Sequence, residues 1–210
     1  MKYFLDTEFI ENGQTIDLIS IGIVAEPCGE QTEPRTLYLQ NAECRFEEAS
    51  EWVWRNVYPH LAHFQMRGGR SCAGIKNYDS GILASTTTGC GGDGTRPCPW
   101  ATRSEIRAAV FKFCSVEKYG KPEFWGYFAD YDWVAFCQLF GRMTALPKGF
   151  PMYCRDIKQW ADMLGDVRIP KPEVEIHHAL EDALWVRSAH DFLTKKAKIN
   201  EAVPMPPSNL

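Results

Sequence analysis

Three short motifs carry acidic residues in an order that could support metal chemistry. Asp6 and Glu8 are two residues apart near the start of the chain, Asp132 follows an aromatic stretch mid-chain, and His177 precedes Asp182 near the end. Carboxylates gathered around one point repel one another unless cations lie between them, and oxygen-rich sites favour hard divalent ions. If the chain folds so that these residues meet, they indicate phosphodiester cleavage at a site that holds two metal ions.

The first acidic pair lies within a stretch that is typical of a β-strand. Asp6 and Glu8 interrupt the apolar and aromatic residues of positions 3–10, and alternate side chains of a strand project from the same face. One strand can therefore present both carboxylates to a single metal site. The alternative is that both acids lie on the solvent face of an edge strand, because acidic side chains are usually exposed.

The mid-chain acid is expected where a strand ends and a helix begins. The segment 123–128 is typical of a buried strand, and Asp132 follows it at the start of a helix. Crevices at the ends of strands are where α/β sheets bind their ligands. Asp130 competes for the same role, since either residue could bind metal while the other caps the helix, and we prefer Asp132. A simple helix cap is the alternative for Asp132.

The C-terminal motif restricts where its helix can begin. His177 and Asp182 are five residues apart, so an α-helix would separate them, whereas His178 and Asp182 would be neighbours on it. His177 can reach Asp182 only if it lies before the helix, and Pro170 and Pro172 make a preceding loop reasonable. A histidine on such a loop could accept the proton of an attacking water. The alternative is a surface histidine beside an acid at a helix start.

The elements that must position these residues follow from periodicity and turn residues. Alternating apolar residues predict strands, and three- and four-residue spacing predicts helices. A mixed β-sheet flanked by helices, an α/β fold class, accounts for their order. The predicted strands cover 3–10, 15–26, 36–39 and 123–128, and the predicted helices cover 46–61 (with Pro59 ending or kinking it), 102–114, 132–140, 156–164 and 179–195.

One domain is expected to contain the whole site. A chain of 210 residues, 45% of them hydrophobic, can bury a full core. We expect a single domain over 1–195, a glycine-rich loop or insertion at about 67–100, and a disordered tail over 196–210. No apolar run reaches the roughly 18 to 20 residues of a membrane span, and no export leader is recognisable, which favours a cytoplasmic protein without a membrane partner.

The remaining metal-ligand residue types form weaker patterns. The eight cysteines include no CxxC pair, so reduced and mostly structural thiols are expected. Cys72, Cys90 and Cys98 could bind zinc, but their spacing matches no familiar zinc finger. His60 and His63 have no thiolate or acid nearby at ligand spacing, and we expect them to be structural.

Charge is distributed unevenly along the chain. The net charge of −4 argues against a protein that coats nucleic acid through bulk electrostatics. Residues 67–112 contain seven basic and three acidic residues, a net charge of +4, which leaves −8 for the remainder. A basic surface beside an acidic pocket would suit a polyanion directed toward metal ions.

Together, the motifs resemble a known group of nucleases. Asp-x-Glu on the first strand, an acid after a later strand and His-x4-Asp at the last helix resemble the DEDDh exonucleases, which have an RNase H-like fold. Three strings are more specific: FLDTEFI at 4–10, IDLISIG at 16–22 and ADYDWV at 129–134. They are similar to the small bacterial and phage 3′-5′ exoribonucleases related to RNase T. The glycine-rich segment 67–99 departs from that family's pattern.

The resemblance implies a reaction and a role for each site residue. Asp6, Glu8, Asp132 and Asp182 would bind two Mg²⁺ or Mn²⁺ ions that bracket the scissile phosphate, and His177 would act as general base. The implied activity is metal-dependent 3′-5′ exoribonuclease hydrolysis of single-stranded RNA to nucleoside 5′-monophosphates. The resemblance also suggests a homodimer.

Phe9 follows the acidic pair directly and is a candidate for substrate binding. An aromatic ring there could stack on the terminal base, a contact worth about 1–3 kcal/mol that tolerates any sequence. Packing in the core is the alternative role for this ring.

Two other functions use the same residues. A DNA exonuclease of the proofreading type would need the same chemistry, because RNA and DNA differ locally by the 2′-hydroxyl. A non-catalytic nucleic-acid-binding module could have the same fold. The full set of acids argues against this module, since uncompensated carboxylates would repel a phosphate ligand.

Overall fold

The computed structural model of the protein describes residues 1–29, 32–61, 99–172 and 177–202. Most of the predicted glycine-rich segment lies outside these residues, as do His63, Cys72, Cys90 and Cys98. In chain order the described elements are β1 (Lys2–Glu11), β2 (Ile16–Ala25), β3 (Arg35–Asn41), α1 (Glu51–Asn56), β4 (Trp100–Ala101), α2 (Arg103–Phe113), α3 (Val116–Tyr119), β5 (Glu123–Gly126), α4 (Asp130–Leu139), β6 (Arg155–Asp156), α5 (Ile157–Met163) and α6 (Ala179–Ala202).

The strands form one six-stranded mixed sheet in the order β4-β3-β2-β1-β5-β6. The pairs β1/β2 and β2/β3 are antiparallel, whereas β3/β4, β1/β5 and β5/β6 are parallel. β5 pairs with β1 only from Lys2 to Phe4. Because β5 ends at Gly126, a crevice opens beside the rest of β1, as is common at strand ends of α/β sheets.

Helices cover both faces of the sheet. One core cluster joins β-strand residues such as Tyr3 and Leu5 to α2 and α4, and the other joins Phe4 and Val24 to α5 and α6. The alternation of Tyr3, Phe4 and Leu5 between these clusters is the period-two pattern of a strand buried on both sides. The predicted α/β class, a mixed sheet flanked by helices, is confirmed.

Local capping residues explain where two helices begin. The predicted start at Thr102 is confirmed as a capping box: Thr102 N–H donates to Glu105 Oε2 (2.8 Å), and Glu105 N–H donates to Thr102 Oγ1 (3.3 Å). The predicted helix over 46–61, with Pro59 ending or kinking it, is confirmed only for its central part, Glu51–Asn56. This segment forms 3₁₀ turns at Phe46–Glu48 and Tyr58–His60 around the short helix α1, which starts where Ser50 Oγ accepts from Val53 N–H (3.3 Å).

The last helix is longer than its apolar pattern predicts. α6 continues past the predicted end at residue 195 to Ala202, because Lys196, Ala197 and Lys198 are residue types that favour helix. The first part of the predicted tail, 196–202, is therefore helical, and 203–210 lie outside the described residues. No helix among the described residues is long and apolar enough to cross a membrane.

Candidate active site

β1 projects its two acids from the sheet face that α5 and α6 cover. Phe4 packs in the core on that face, so alternation directs Asp6 and Glu8 to the same side. The register shifts between Glu8 and Phe9, because Glu8 pairs with Ser20 and Phe9 pairs with Leu18. Such a β-bulge is common next to active sites, where it redirects a side chain.

A glycine on the neighbouring strand lets α6 approach these acids. Gly22 pairs with Asp6, and a Cβ atom added to it would lie 2.2 Å from the carbonyl oxygen of Ala179 and 2.5 Å from Leu180 Cα. The first turn of α6 therefore rests directly on the sheet. Asp182, which belongs to this first turn, is thereby positioned beside Asp6.

Three carboxylates meet at this point. One oxygen from each of Asp6, Glu8 and Asp182 can be chosen so that all three lie within 4.8 Å of one another, and these side chains could hold a metal ion. Burial, with the Asp132, Glu8 and Asp182 carboxylates, raises the pKa of Asp6 well above its ordinary value. Burial, with Asp182 and Asp132, raises the pKa of Glu8 to about 8. Without cations, the cluster therefore favours protonation.

Asp132 lines the same cavity and is oriented by β1. It is buried in the first turn of α4, where its Oδ1 accepts hydrogen bonds from Thr7 N–H (2.8 Å) and Thr7 Oγ1 (2.6 Å). Burial raises the pKa of Asp132 to about 6, an increase that the bonds from Thr7 oppose. Asp130 is exposed and does not line the cavity. Ala129 is the N-cap of α4, so neither acid occupies the predicted capping position.

His177 lies before the last helix, as its spacing to Asp182 requires. α6 begins at Ala179, and His178 at its start donates its backbone N–H to Asp182 Oδ2 (3.1 Å). The His178 ring stacks on Tyr38 (4.3 Å between centroids), which leaves His177 to line the cavity. The His177 ring meets the half-exposed indole of Trp52 edge to face, with centroids 4.7 Å apart.

A cavity of about 640 Å³ unites the predicted residues. Its volume lies within the range of roughly 300–1,000 Å³ that is usual for ligand sites. The cavity is lined by carboxylates from three elements of the fold and by one imidazole: Asp6, Glu8, Asp132, Asp182 and His177. Such a set could bind divalent cations and accept a proton from a water molecule.

Aromatic side chains form another part of the cavity wall. Phe9 lines it and stacks on Tyr131, with centroids 5.8 Å apart and planes 12° from parallel. Phe128 also lines the cavity, is 63% exposed and has a φ of 52°, a conformation that non-glycine residues rarely adopt. Flat, accessible rings beside the acids could contact a base.

Three positions in this site were missed by sequence reasoning. Thr7 orients Asp132 from the other face of β1, although strand alternation directs its side chain away from Asp6 and Glu8. Gly22 and Trp52 act through close approaches between segments that are distant in sequence. A glycine in the middle of an apolar strand was the one local signal of such an approach.

The cysteines and histidines outside the cavity form no second metal cluster among the described residues. Cys28, Cys44, Cys114, Cys137 and Cys154 are free thiols. His60, whose partner His63 lies outside the described residues, has a lowered pKa because of burial and the nearby His177. The zinc alternative for Cys72, Cys90 and Cys98 also lies outside the described residues.

Comparison with curated proteins identifies relatives of similar length. No protein-family model matches the chain. Two proteins from two strains of Mycobacterium tuberculosis, each named a 3′-5′ exoribonuclease, are 34% identical over 187 residues. The match covers 87% of this chain and 87% of each relative.

Proposed function

Because the chain belongs to the same 3′-5′ exoribonuclease family as these mycobacterial proteins, we propose that it is a metal-dependent 3′-5′ exoribonuclease. Its substrate is single-stranded RNA, and its products are nucleoside 5′-monophosphates. The observation that carries the proposal is the meeting of Asp6, Glu8, Asp132, Asp182 and His177 in one cavity. The same residues favour assignment of the chain to the DEDDh exonucleases, and within them to the exoribonucleases related to RNase T.

The carboxylates fit the cations that this reaction needs. Asp6, Glu8 and Asp182 provide oxygens at ligand spacing, and Asp132 keeps its Oδ2 available because Thr7 bonds Oδ1. When bound, two Mg²⁺ or Mn²⁺ ions supply water activation and charge stabilisation at the scissile phosphate and the departing oxygen. Binding them also offsets the burial and the mutual repulsion that together raise the pKa of Asp6 and Glu8.

His177 is the general base in this proposal. Imidazole nitrogen can accept the proton of the attacking water, and His177 lines the cavity that contains the carboxylates. Its position before α6 gives the ring access to the cavity that a residue on the helix at this spacing would lack. Trp52 limits the orientations of the ring through its edge-to-face contact.

Phe9 contacts the base of the 3′-terminal nucleotide. Tyr131 supports the Phe9 ring from one side through a nearly parallel stack, and Phe9 lines the cavity. Stacking does not depend on base identity, so it suits an enzyme that removes successive nucleotides from any sequence. RNA rather than DNA is proposed as the substrate because both relatives are named exoribonucleases.

The proposal is tested with 5′-labelled single-stranded RNA and DNA of one sequence, incubated with Mg²⁺, Mn²⁺ or EDTA. We expect RNA to shorten from its 3′ end with release of 5′-monophosphates, in Mg²⁺ or Mn²⁺ but not in EDTA. Asp6→Asn should remove this activity. Faster cleavage of DNA would favour the proofreading type, and binding of RNA without cleavage in every metal would favour the binding module.

A further inference from the structure

One part of the cavity wall is basic. Lys158 on α5 and two residues of the loop that follows it, Arg168 and Lys171, line the same cavity as the acids. The acids come instead from β1, α4 and α6, apart from Asp166, which also belongs to the α5 side. The two signs of charge are therefore largely separated within one cavity.

The loop that carries Arg168 and Lys171 is fixed to the core. Its turn uses Gly165 and Asp166, both with positive φ (94° and 54°), and Val167 N–H donates to the carbonyl oxygen of Ala161 (3.1 Å). Val167 and Ile169 pack against the core on the α5 and α6 face, whereas Arg168 between them is exposed. Such alternation is typical of an extended segment, and here it directs the Arg168 side chain away from the core.

A second attachment joins the loop to the helix of the acidic cluster. Trp185 on α6, three residues after Asp182, donates its indole N–H to the carbonyl oxygen of Pro170 (2.9 Å). The backbone that bears Arg168 is thus tied to the helix that bears Asp182.

Among the described cations of this wall, Arg168 is the one available to a ligand, because Lys158 and Lys171 already have interaction partners. Lys158 is already paired with Asp162 and with Asp166, the latter at 3.3 Å. Arg168 makes no hydrogen bond or ion pair with the residues that the structure describes. A guanidinium group binds phosphate oxygens through two parallel hydrogen bonds, a geometry that an ammonium group cannot offer.

We propose that Arg168 binds the internucleotide phosphate on the 5′ side of the scissile phosphate in a single-stranded RNA substrate. This inference rests on the proposed function, which puts the scissile phosphate at the carboxylates. The remaining RNA must leave the cavity along its wall, and the next phosphate is the first negative charge outside the acidic cluster. Phe9 contacts the base and Arg168 contacts the backbone, so neither contact selects a sequence.

The first experiment measures binding of a 5′-labelled single-stranded RNA in Ca²⁺ under conditions that give no cleavage product. We compare the wild-type protein with Arg168→Gln and with Arg142→Gln, which removes an exposed arginine outside the cavity. Arg168→Gln should weaken binding about fivefold to tenfold at low salt, with an equal effect on all sequences. For Arg168→Gln, the slope of log affinity against log salt concentration should be less steep than for the wild type by about 0.7, the value for one phosphate contact on a single strand. Arg142→Gln should match the wild type, and equal behaviour of all three proteins would overturn the proposal.

The second experiment identifies the phosphate. One linkage of the oligonucleotide is replaced by an uncharged methylphosphonate, either next to the 3′-terminal linkage or in the middle of the strand. The wild-type protein should bind the oligonucleotide with the methylphosphonate next to the 3′-terminal linkage more weakly than the unsubstituted one. Arg168→Gln should bind these two oligonucleotides equally. An equal loss in both proteins would overturn the assignment of this phosphate to Arg168.

A thermal unfolding control separates phosphate binding by Arg168 from a purely structural role of its charge. If Arg168 instead offsets the charge of the cation-free acids, Arg168→Gln would lower the thermal unfolding midpoint in EDTA while RNA binding stayed unchanged, and the proposal would fail. Cleavage by the wild-type protein is measured separately. If the wild-type protein cleaves RNA but Arg168→Gln binds RNA as tightly as the wild type, only this inference is contradicted. If the wild-type protein does not cleave RNA, the proposed function is contradicted.

Discussion

At the scale of single residues, Thr7 determines which oxygen of Asp132 remains available to a cation. Its backbone N–H and hydroxyl both donate to Oδ1, at 2.8 and 2.6 Å. Thr7→Val keeps the shape and the backbone bond but removes the hydroxyl donor, and a hydrogen bond to a charged group contributes about 1.5–3 kcal/mol. We expect kcat for RNA cleavage to fall about tenfold or more.

Thr7→Ser is the matched control for this prediction, because it restores a hydroxyl at the same position. Steady-state kinetics with one RNA substrate would distinguish the two variants. Similar kcat values for Thr7→Val, Thr7→Ser and the wild type would contradict a role for the hydroxyl in orienting Asp132.

Substitutions of Asp130 and Asp132 should differ in their effect on cleavage, although both residues lie in the first turn of α4. Asp132 is buried and lines the cavity, whereas Asp130 is exposed and does not. Asp132→Asn removes one negative charge from the cluster and should reduce cleavage by more than about a hundredfold, since the proposed cations would need that charge. Asp130→Asn should reduce it less than about tenfold. The opposite ranking in a cleavage time course would transfer the ligand role to Asp130.

Sequence could identify the acids of the site but not the groups that orient them. Carboxylates within an apolar strand and after an aromatic stretch are unusual by residue type alone, so Asp6, Glu8 and Asp132 could be singled out. The role of Thr7 depends on α4, whose Asp132 is 125 residues away along the chain. The contact between Trp52 and His177 likewise has no local pattern.

At the scale of elements, the close approach of α6 to β2 positions Asp182. The approach depends on Gly22, because a Cβ atom there would lie 2.2 Å from the Ala179 carbonyl oxygen. Gly22→Ala should force the start of α6 away from the sheet, with a destabilisation of about 1–3 kcal/mol. Cleavage activity should fall further than the loss of folded protein explains, since Asp182 moves with the helix.

Ser20→Ala is the control on the same strand. Its hydroxyl oxygen is buried and has no hydrogen-bond partner among the described residues, so the substitution should leave both stability and activity nearly unchanged. Thermal unfolding and activity would be measured on both variants. A Gly22→Ala protein that is as stable and active as Ser20→Ala would show that α6 does not need this approach.

Regular elements were predictable where local chemistry decides them. The hairpin of β1 and β2 follows from alternating residues, and the start of α2 from the Thr102 and Glu105 capping box. The break of the 46–61 segment into short turns depends on capping at Ser50, which competes with a continuous apolar period. The pairing of β1 with β5 joins residues more than 100 positions apart, and periodicity contains no information about it.

At the scale of the whole molecule, the acidic cluster links stability to pH and to metal. Burial and neighbouring carboxylates raise the pKa of Glu8 to about 8, above its ordinary value of 4.5. The folded protein then holds a proton that the unfolded chain releases, so stability in EDTA should fall as pH rises from about 4.5 to about 8. The proposed Mg²⁺ ions would bind the charged carboxylates, so the stabilisation that Mg²⁺ gives should grow over the same pH window.

Thermal unfolding at several pH values, in EDTA and in Mg²⁺, measures this linkage. Glu8→Gln is the control, because it removes the titrating group and should flatten the pH dependence that Glu8 contributes in EDTA. A wild-type unfolding midpoint in EDTA that rises over this window, or a Mg²⁺ effect that is independent of pH, would contradict the prediction.

The cavity between β1, α4 and α6 is proposed to hold metal ions and the 3′-terminal nucleotide. The most direct measurement is anomalous diffraction from crystals grown with Mn²⁺ and a nucleoside 5′-monophosphate. We predict Mn²⁺ peaks at the Asp6, Glu8, Asp132 and Asp182 carboxylates, with the nucleotide phosphate against them and its base near Phe9. Nucleotide bound elsewhere on the protein, with no Mn²⁺ at these carboxylates, would contradict this claim.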